Sequence, residues 1–254
     1  MCFDLDSQPP IEPIAGGALD HEDLVLTASD GNRFAAFRAR ASRPTGAGIV
    51  VLPDVRGLYS FYEELALRFA EAGIDALAID YFGRTAGVAK RDAEFSYSEH
   101  VQQARLPELR ADVTAAVEEL RRDGRVRATF TIGFCFGGRL AYGTGTFGLD
   151  LAGTIAFYGM PSSERPGWPA PLTVAPAMAS PVLGLFGGAY QAIPPEAIAD
   201  FEGALTAAAV EHELITYPGA PHSFFDRKAA DFGDAAADSW SRTVAFVTAH
   251  TPPA

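Results

Sequence analysis

The chain has 254 residues, and 20 basic against 32 acidic side chains give it a formal net charge of −12. Nucleic acids and anionic membranes bind basic patches, so neither is expected as a partner, although a local basic pocket for an anionic substrate stays compatible with this balance. The two cysteines, Cys2 and Cys135, are too few for a disulfide framework or a metal cluster. Without a membrane-length apolar run or a secretory signal, the sequence predicts a cytoplasmic protein.

The front of the chain predicts an antiparallel hairpin. Residues 1–21 are rich in proline and glycine and are expected to lack regular structure. Two β-prone runs, residues 24–27 and 34–37, flank a turn at residues 30–32. The apolar run 48–52 then predicts a strand buried on both faces of a sheet.

Strands and helices alternate from there to the end of the chain. Apolar periodicity and flanking Gly or Pro predict helices at residues 62–72, 109–120, 194–209 and 234–249, and strands at residues 74–79, 126–132, 151–158, 181–186 and 213–217. Alternation of this kind predicts an α/β fold with a mostly parallel central sheet and helices on both faces. We expect residues 22–250 to form a single domain.

The segment 131–138 closes one of these strands and opens a helix. It places Cys135 between Gly133 and Gly137, which is the pattern of a nucleophile elbow with cysteine in place of serine. Such a turn presents the side chain above the sheet and brings the N–H of Phe136 to the reacting carbonyl. The alternative is a small buried cysteine in a glycine-rich turn. Whether Cys135 is a nucleophile therefore depends on the residues in the other loops.

Ligands of open α/β sheets bind at the carboxyl ends of the strands. The loop after residue 52 contains Asp54 and Val55, whose backbone can supply a second oxyanion donor. Asp54 is interpreted equally well as a group beside Cys135 or as a helix cap. In the loop after residue 79, Arg84 is a candidate for gripping a substrate carboxylate, although most arginines lie on the surface.

His222 lies in residues 217–227, between the last predicted strand and the final helix. That is where the base of a nucleophile belongs when the chain order is nucleophile, acid, histidine. Of the other four histidines, two lie near the termini, one lies in a polar segment and His212 borders a strand. An imidazole paired with Cys135 lowers the pKa of the thiol and keeps a reactive thiolate available. A structural loop histidine is the competing interpretation.

Four motifs together resemble the dienelactone hydrolase family. They are Gly133–Gly138 (Gly-Phe-Cys-Phe-Gly-Gly), Gly219–Arg227 (Gly-Ala-Pro-His-Ser-Phe-Phe-Asp-Arg), Asp80–Thr85 (Asp-Tyr-Phe-Gly-Arg-Thr) and Leu52–Gly57 (Leu-Pro-Asp-Val-Arg-Gly). They occur in the order of that family, and the resemblance extends over nearly the whole chain.

The resemblance implies an α/β-hydrolase fold and a Cys-His-Asp triad that acts on enol-lactones or related esters, without a metal or organic cofactor. It makes Cys135 the nucleophile and His222 the base. An acidic residue at the position of Asp54 is implied to hold the resting cysteine, a role that glutamate has in the family. Arg84 matches a carboxylate-binding arginine, and Arg227 is one residue away from the spacing of a second one.

One position departs from the family pattern. Where the family has the triad aspartate, this chain has Tyr190, which carries no charge at neutral pH. A weaker Cys-His dyad, or a replacement acid such as Glu164 or Asp226, would keep nucleophilic chemistry. The third alternative is a protein that has abandoned hydrolysis and binds or cyclises a metabolite.

The sequence therefore predicts a cysteine-dependent hydrolase of a small ester or lactone, including one that bears a carboxylate. Val55 and Phe136 would supply the oxyanion-hole amides. The rival is a non-hydrolytic ligand-binding or biosynthetic protein on the same fold. Neither the physiological substrate nor the oligomeric state follows from the sequence.

Overall fold

The computed structural model describes residue 4, residues 6–226 and residues 230–253. Within these residues, eight strands form one sheet in the order β1-β2-β4-β3-β5-β6-β7-β8. Their bounds are β1 Ala18–Thr27, β2 Arg33–Ala41, β3 Ala47–Leu52, β4 Asp75–Ile79, β5 Ala128–Phe134, β6 Gly153–Phe157, β7 Val182–Gly187 and β8 His212–Tyr217. β1 pairs antiparallel with β2, and β2 pairs antiparallel with β4. All remaining neighbours are parallel.

Helices follow the strands of the parallel part. Their bounds are α1 Ser60–Glu71, α2 Gly83–Ala86, α3 Tyr97–Gln103, α4 Leu106–Arg121, α5 Phe136–Thr144, α6 Pro171–Val174, α7 Pro195–Ala207 and α8 Gly233–Ala249, with short 3₁₀ turns at Ala175–Ala177 and Ala230–Phe232. The predicted α/β class, with a mostly parallel sheet and an antiparallel pair at the front, is confirmed.

The structure differs from the sequence expectation mainly at its edges. β1 begins at Ala18, inside the segment expected to be irregular, and extends the hairpin well before residue 24. Three short helices, α2, α3 and α6, lie in stretches where the sequence predicts no regular element. None of them has more than seven residues, too short for a helical period to stand out.

The core has two layers, one on each face of the sheet. On one face α1 and α8 cover the strands through Phe61, Leu65, Phe69 and Val247. On the other, α4, α5 and α7 pack through side chains such as Val113, Leu140 and Phe201. β3 lies between them and all six of its residues are buried, as its unbroken apolar sequence predicts.

The order of strands reverses between β3 and β5. From β3 the chain crosses to β4 on one side, and the later strands β5 to β8 follow one another on the other side. A reversal of this kind leaves a crevice at the carboxyl ends of the two strands, where ligands bind in open α/β sheets. The loop after Leu52 and the turn after Phe134 meet at this crevice, because Leu52 pairs with Gly133 at the ends of the two strands.

The contact between these two segments leaves no room for a side chain at Gly137. A Cβ atom there would overlap the backbone carbonyl oxygens of Leu52 and Pro53. Since backbone cannot move aside cheaply, we expect Gly137→Ala to lower the free energy of unfolding by about 2–4 kcal/mol. The matched control is Gly203→Ala on α7, where a Cβ meets no atom within 4 Å and should stabilise the helix by about 0.5–1 kcal/mol. Urea unfolding of both variants measures the difference, and equal stabilities would contradict the close contact.

Candidate active site

The turn between β5 and α5 holds Cys135 in a backbone conformation that L-residues rarely adopt. Its φ is 56° and its ψ is −109°, and its N–H donates to the Phe157 carbonyl oxygen at 3.0 Å. A Cβ at Gly133 would overlap the Gly137 carbonyl group. The turn itself therefore requires glycine at position 133, and the loop after β3 requires it at position 137. A strained conformation held by such contacts is typical of a functional position.

The turn brings two backbone segments together that can stabilise an oxyanion. Phe136 is the first residue of α5, and an N–H at that position has no acceptor within its own helix. Val55 lies in the loop after β3 and, with Phe136, lines the cleft around Cys135. The Tyr81 hydroxyl donates to the Pro53 carbonyl at 2.9 Å, which fixes the start of this loop. Burial, with the charges of Asp54, Asp80 and Cys135, raises the pKa of Tyr81, so this hydroxyl keeps its proton.

Asp80 directly follows β4 and binds the C-terminal part of the loop after β3. The fully buried carboxylate accepts the Leu58 N–H at 3.0 Å and the Phe82 N–H at 2.8 Å. Arg91 donates to both of its oxygens, at 3.3 and 2.7 Å. The aspartate of this family-like motif thus ties the loop after β3 to the loop after β4.

Asp54 is bound by Arg56, two residues further along the chain. Arg56 reaches Oδ1 with Nε at 3.2 Å and Oδ2 with Nη2 at 2.8 Å, and its N–H also donates to Oδ1 at 2.8 Å. Although burial acts to lower the pKa of Arg56, the hydrogen bonds that it donates to Asp54 and the charge of that carboxylate raise it. Asp54 does not cap α1, because Tyr59 occupies the N-cap position. Holding the resting cysteine stays a prediction, and it would require Asp54 to be shared with Arg56.

His222 lies in the loop after β8 and lines the same cleft as Cys135. Its ring packs against Tyr190, with centroids 4.2 Å apart, and against Tyr158, with centroids 4.8 Å apart. Nδ1 is buried and has no hydrogen-bond partner among the residues that the structure describes. Aromatic packing, not a carboxylate, therefore holds the imidazole in this region.

Tyr190 occupies the space of the expected acid. The loop after β7 is tied to the histidine loop by a hydrogen bond from the Ala189 N–H to the Ala220 carbonyl at 2.9 Å. Tyr190 directly follows Ala189, and its ring packs against the ring of His222. The Tyr190 hydroxyl does not donate a hydrogen bond to Nδ1 of His222.

The two replacement acids considered from the sequence do not reach Nδ1. Glu164 is exposed, and its Oε1 lies 3.5 Å from the Thr173 hydroxyl. Asp226 accepts a hydrogen bond of 2.7 Å from the Ser7 hydroxyl. Since Nδ1 of His222 has no partner in the described chain, neither carboxylate takes over the position of the acid.

The cleft around these groups has a volume of about 240 Å³. It is lined by Val55, Cys135, Phe136, Arg139, Tyr158, Met160, Ser163, Arg165, Tyr190, Ile193 and His222. The lining combines an apolar and aromatic surface with a few polar groups, which is the usual composition of a small-molecule site.

Arg84 is not brought together with Cys135 and His222, and its substrate-binding role stays a prediction. Its guanidinium binds Asp30 at 2.7 Å and Asp112 at 2.9 Å, and it is not among the residues that line the cleft. Asp112 also accepts from the Asn32 amide at 2.9 Å, and burial raises its pKa to about 6. The arginine is thus held by carboxylates of its own surroundings. Arg227, the second predicted arginine, lies outside the described residues.

Sequence reasoning missed six residues of the cleft lining, and three of them, Arg139, Tyr158 and Arg165, carry polar groups on long side chains. Arg139 lies on α5 four residues after Cys135, one helical turn along the chain. Arg165 belongs to the proline-rich segment, and Tyr158 directly follows β6 with a φ of 43°. The position of Tyr158 at a strand end was a usable signal, and so was the helical spacing of Arg139. Nothing in the sequence pattern brings Arg165 to the site.

The Asp54–Arg56 pair generates a prediction about stability. The Asp54 carboxylate is 1% exposed, so Arg56→Gln would leave it buried without its counter-ion and should lower the free energy of unfolding by about 3 kcal/mol. Arg242→Gln is the matched control, because its partners Asp238 and Glu213 are exposed and the loss there should stay below about 1 kcal/mol. Chemical denaturation of the two variants decides, and losses of similar size would be inconsistent with a buried ion pair at Asp54.

No helix within the described residues is long and apolar enough to cross a bilayer.

The chain is similar to several known proteins that share one provisional name. A protein of Yersinia pestis, provisionally named a carboxymethylenebutenolidase, is 29% identical over 232 residues, which is 87% of this chain and 86% of that protein. A protein of Escherichia coli K12 with the same provisional name is 26% identical over 250 residues, or 92% and 91% of the two chains.

A crystal structure from Klebsiella pneumoniae, provisionally described as a dienelactone hydrolase, superposes with a TM-score of 0.78 at 26% identity, covering 90% of this chain and 99% of that one. The model of the dienelactone hydrolase family matches residues 34–251. That span contains the elbow, the histidine loop and every strand from β3 to β8. The chain belongs to the dienelactone hydrolase family.

Proposed function

We propose that the protein is a hydrolase of esters or lactones in which Cys135 is the nucleophile and His222 the base. The observation that carries the proposal is the conformation of Cys135: a cysteine at positive φ, between two glycines that admit no side chain, in the cleft that also contains His222. A buried structural cysteine has no need of such a turn. Membership of a hydrolase family supports the same chemistry.

The reaction would proceed in two halves. The imidazole of His222 takes the thiol proton, and the Cys135 sulfur attacks the carbonyl carbon to form a tetrahedral oxyanion. The backbone N–H groups of Val55 and Phe136 donate to that oxygen. Collapse breaks the C–O bond, and the imidazolium gives its proton to the leaving oxygen, which in a lactone stays attached to the acyl group. Water, deprotonated by the imidazole, then releases the acyl group from sulfur.

The residue at position 190 affects the rate of both halves. A carboxylate there would orient the imidazole and stabilise the imidazolium, and the loss of that group costs a serine enzyme about 10⁴ in turnover. A thiol is more acidic than an alcohol and more nucleophilic as its anion, so it depends less on a strong base. Packing between Tyr158 and Tyr190 supplies orientation to His222 but no charge.

A non-hydrolytic role is the second candidate, and one observation favours it. Nδ1 of His222 has no hydrogen-bond partner in the described chain, so the imidazolium formed during hydrolysis has no counter-ion there. A protein that only binds a ligand in this cleft has no use for that counter-ion. The pH dependence of alkylation by iodoacetamide distinguishes the two, because a thiol with an unperturbed pKa near ~8.5 favours binding alone and a lowered pKa favours catalysis.

If Cys135 is the nucleophile and His222 the base, substitution of either residue should slow ester hydrolysis. With 4-nitrophenyl acetate as substrate, Cys135→Ala should reduce hydrolysis to the uncatalysed rate, and His222→Ala should reduce kcat/KM by about 10²–10⁴-fold. His250→Ala is the matched control, since His250 binds Glu211 at 3.1 Å outside the cleft and its loss should not change the rate. Activity retained in Cys135→Ala would remove the basis of the proposed mechanism.

Tyr190 predicts a gain of activity. Tyr190→Asp places a carboxylate beside the histidine loop, and we expect kcat/KM for 4-nitrophenyl acetate to rise by about tenfold or more. Tyr190→Asn is the matched control, because it removes the ring and adds a polar group of the same size without charge. A rise in the aspartate variant alone identifies the missing acid. Equal rates in the two variants would mean that the charge at position 190 does not limit the reaction.

A further inference from the structure

One wall of the cleft is a segment without a helix or strand of its own, residues 159–170 between β6 and α6. This wall segment contributes Met160, Ser163 and Arg165 to the lining around Cys135. Loops run over the surface of a protein and move more than the elements that they connect. The wall segment therefore limits what enters the cleft only if other parts of the molecule hold it in place.

Arg139 on α5 binds the wall segment at its backbone carbonyl groups. Its Nη2 donates to the carbonyl oxygens of Ser163 at 3.0 Å, Trp168 at 2.9 Å and Pro169 at 3.2 Å. Its Nε also donates to the Ser163 carbonyl, at 3.3 Å. Since Arg139 is only 5% exposed, water cannot easily replace these bonds. One buried guanidinium thus holds both ends of the stretch 163–169.

The ring of Trp168 orients this guanidinium. The carbon of the Arg139 guanidinium lies 4.2 Å from the centre of the ring. Trp168 is itself buried, and its ring packs edge-on against that of Phe136, with centroids 5.3 Å apart. Stacking fixes the plane of an arginine fork, whereas the ammonium of a lysine has no fork to orient. The contact with the wall segment therefore depends on the shape of arginine as well as on its charge.

The same arginine is one helical turn away from the proposed nucleophile. Its N–H donates to the Cys135 carbonyl at 3.1 Å. A Cβ at Gly138 would lie 2.7 Å from the Phe157 carbonyl oxygen and 3.0 Å from Cα of Gly159, so α5 also touches the start of the wall segment. Since Cys135 and Arg139 belong to one continuous stretch of backbone, movement of the wall away from the thiol would require the bonds of Arg139 to break. Arg139 thus contributes directly to the distance between the thiol and the wall.

We propose that Arg139 is a positioning residue that holds the wall segment against α5, so that the wall limits the size of the group that a substrate places beside Cys135. The cleft volume of about 240 Å³ lies below the range of about 300–1,000 Å³ that is usual for sites of drug-sized ligands. Arg139 acts through the wall and takes no part in the reaction itself. This inference rests on the proposed hydrolysis and adds to it a determinant of substrate size.

The test compares 4-nitrophenyl acetate with 4-nitrophenyl hexanoate, which has a longer acyl chain. The measured quantity is the ratio of kcat/KM for the hexanoate to that for the acetate, which does not depend on the fraction of folded enzyme. Arg139→Gln releases the wall, and we expect the ratio to rise by about tenfold or more, the effect of about one methylene group in a fitted pocket. Arg139→Lys keeps the charge without the fork and should raise the ratio by about threefold or more. It also tests the proposal if Arg139→Gln does not fold.

Arg110→Gln is the matched control. Arg110 on α4 also donates to a backbone carbonyl, that of Phe147 at 2.8 Å, and its guanidinium lies 5.6 Å from the centre of the Phe147 ring. It is not among the residues that line the cleft, so its loss should leave the ratio unchanged. A wild-type ratio in the Arg139 variants, or an equal rise in Arg110→Gln, overturns the proposal.

A second measurement separates the wall from the chemistry. Cys135 is alkylated with iodoacetamide and with the bulkier N-phenylmaleimide, and mass spectrometry of the peptide that contains Cys135 gives the ratio of the two rate constants. Both reagents react with the thiolate, so the ratio does not depend on the pKa of the thiol. Arg139→Gln should shift the ratio toward the bulkier reagent by about fivefold or more.

The two measurements fail independently of each other. An unchanged alkylation ratio in Arg139→Gln would overturn the role of Arg139 even if Cys135 proves to be the nucleophile. A shifted alkylation ratio in a protein that hydrolyses neither ester would support that role while overturning the proposed function.

Discussion

The close approach of α5 to the end of β3 is the constraint on which the site depends. Gly137 lies against the carbonyl groups of Leu52 and Pro53, at a distance that excludes any side chain. This contact brings the loop that carries Val55 to the turn that carries Cys135. Since both backbone segments are fixed by it, the two N–H groups can converge on one oxygen without any side chain having to move. The geometry of the turn and that of the proposed oxyanion hole would thus be one property of the backbone.

Much of the fold could be predicted from the sequence because short, largely apolar segments alternate with helical periodicity. β3 is an unbroken apolar run, and β5 is apolar except for two threonines; both are buried along their whole length, as is typical of a parallel sheet covered on both faces. The extra length of β1 could not be predicted, because half of it is polar and faces away from the core. Pairing with β2 over residues 18–27 determines it, and tertiary pairing of this kind overrides local propensity.

The candidate site was predictable where one backbone motif defines it, and not where packing does. The flanking glycines indicate Cys135 as a candidate, and the position after the last strand indicates His222. The ion pairs of Arg84 could not be predicted, because no local pattern reveals that Asp30 and Asp112 lie beside it. Arg165 was missed for the opposite reason: a proline-rich segment without periodicity carries it into the cleft.

Tyr190 changes what the cleft can supply to His222. The described lining contains no carboxylate, while it contains two guanidinium groups and an imidazole. In the proposed reaction the imidazolium would therefore find no counter-ion among these residues, and packing against Tyr158 and Tyr190 would supply orientation alone. A thiol depends less on such a counter-ion than an alcohol does, so a cysteine at the elbow is compatible with the loss of the aspartate in one and the same reaction.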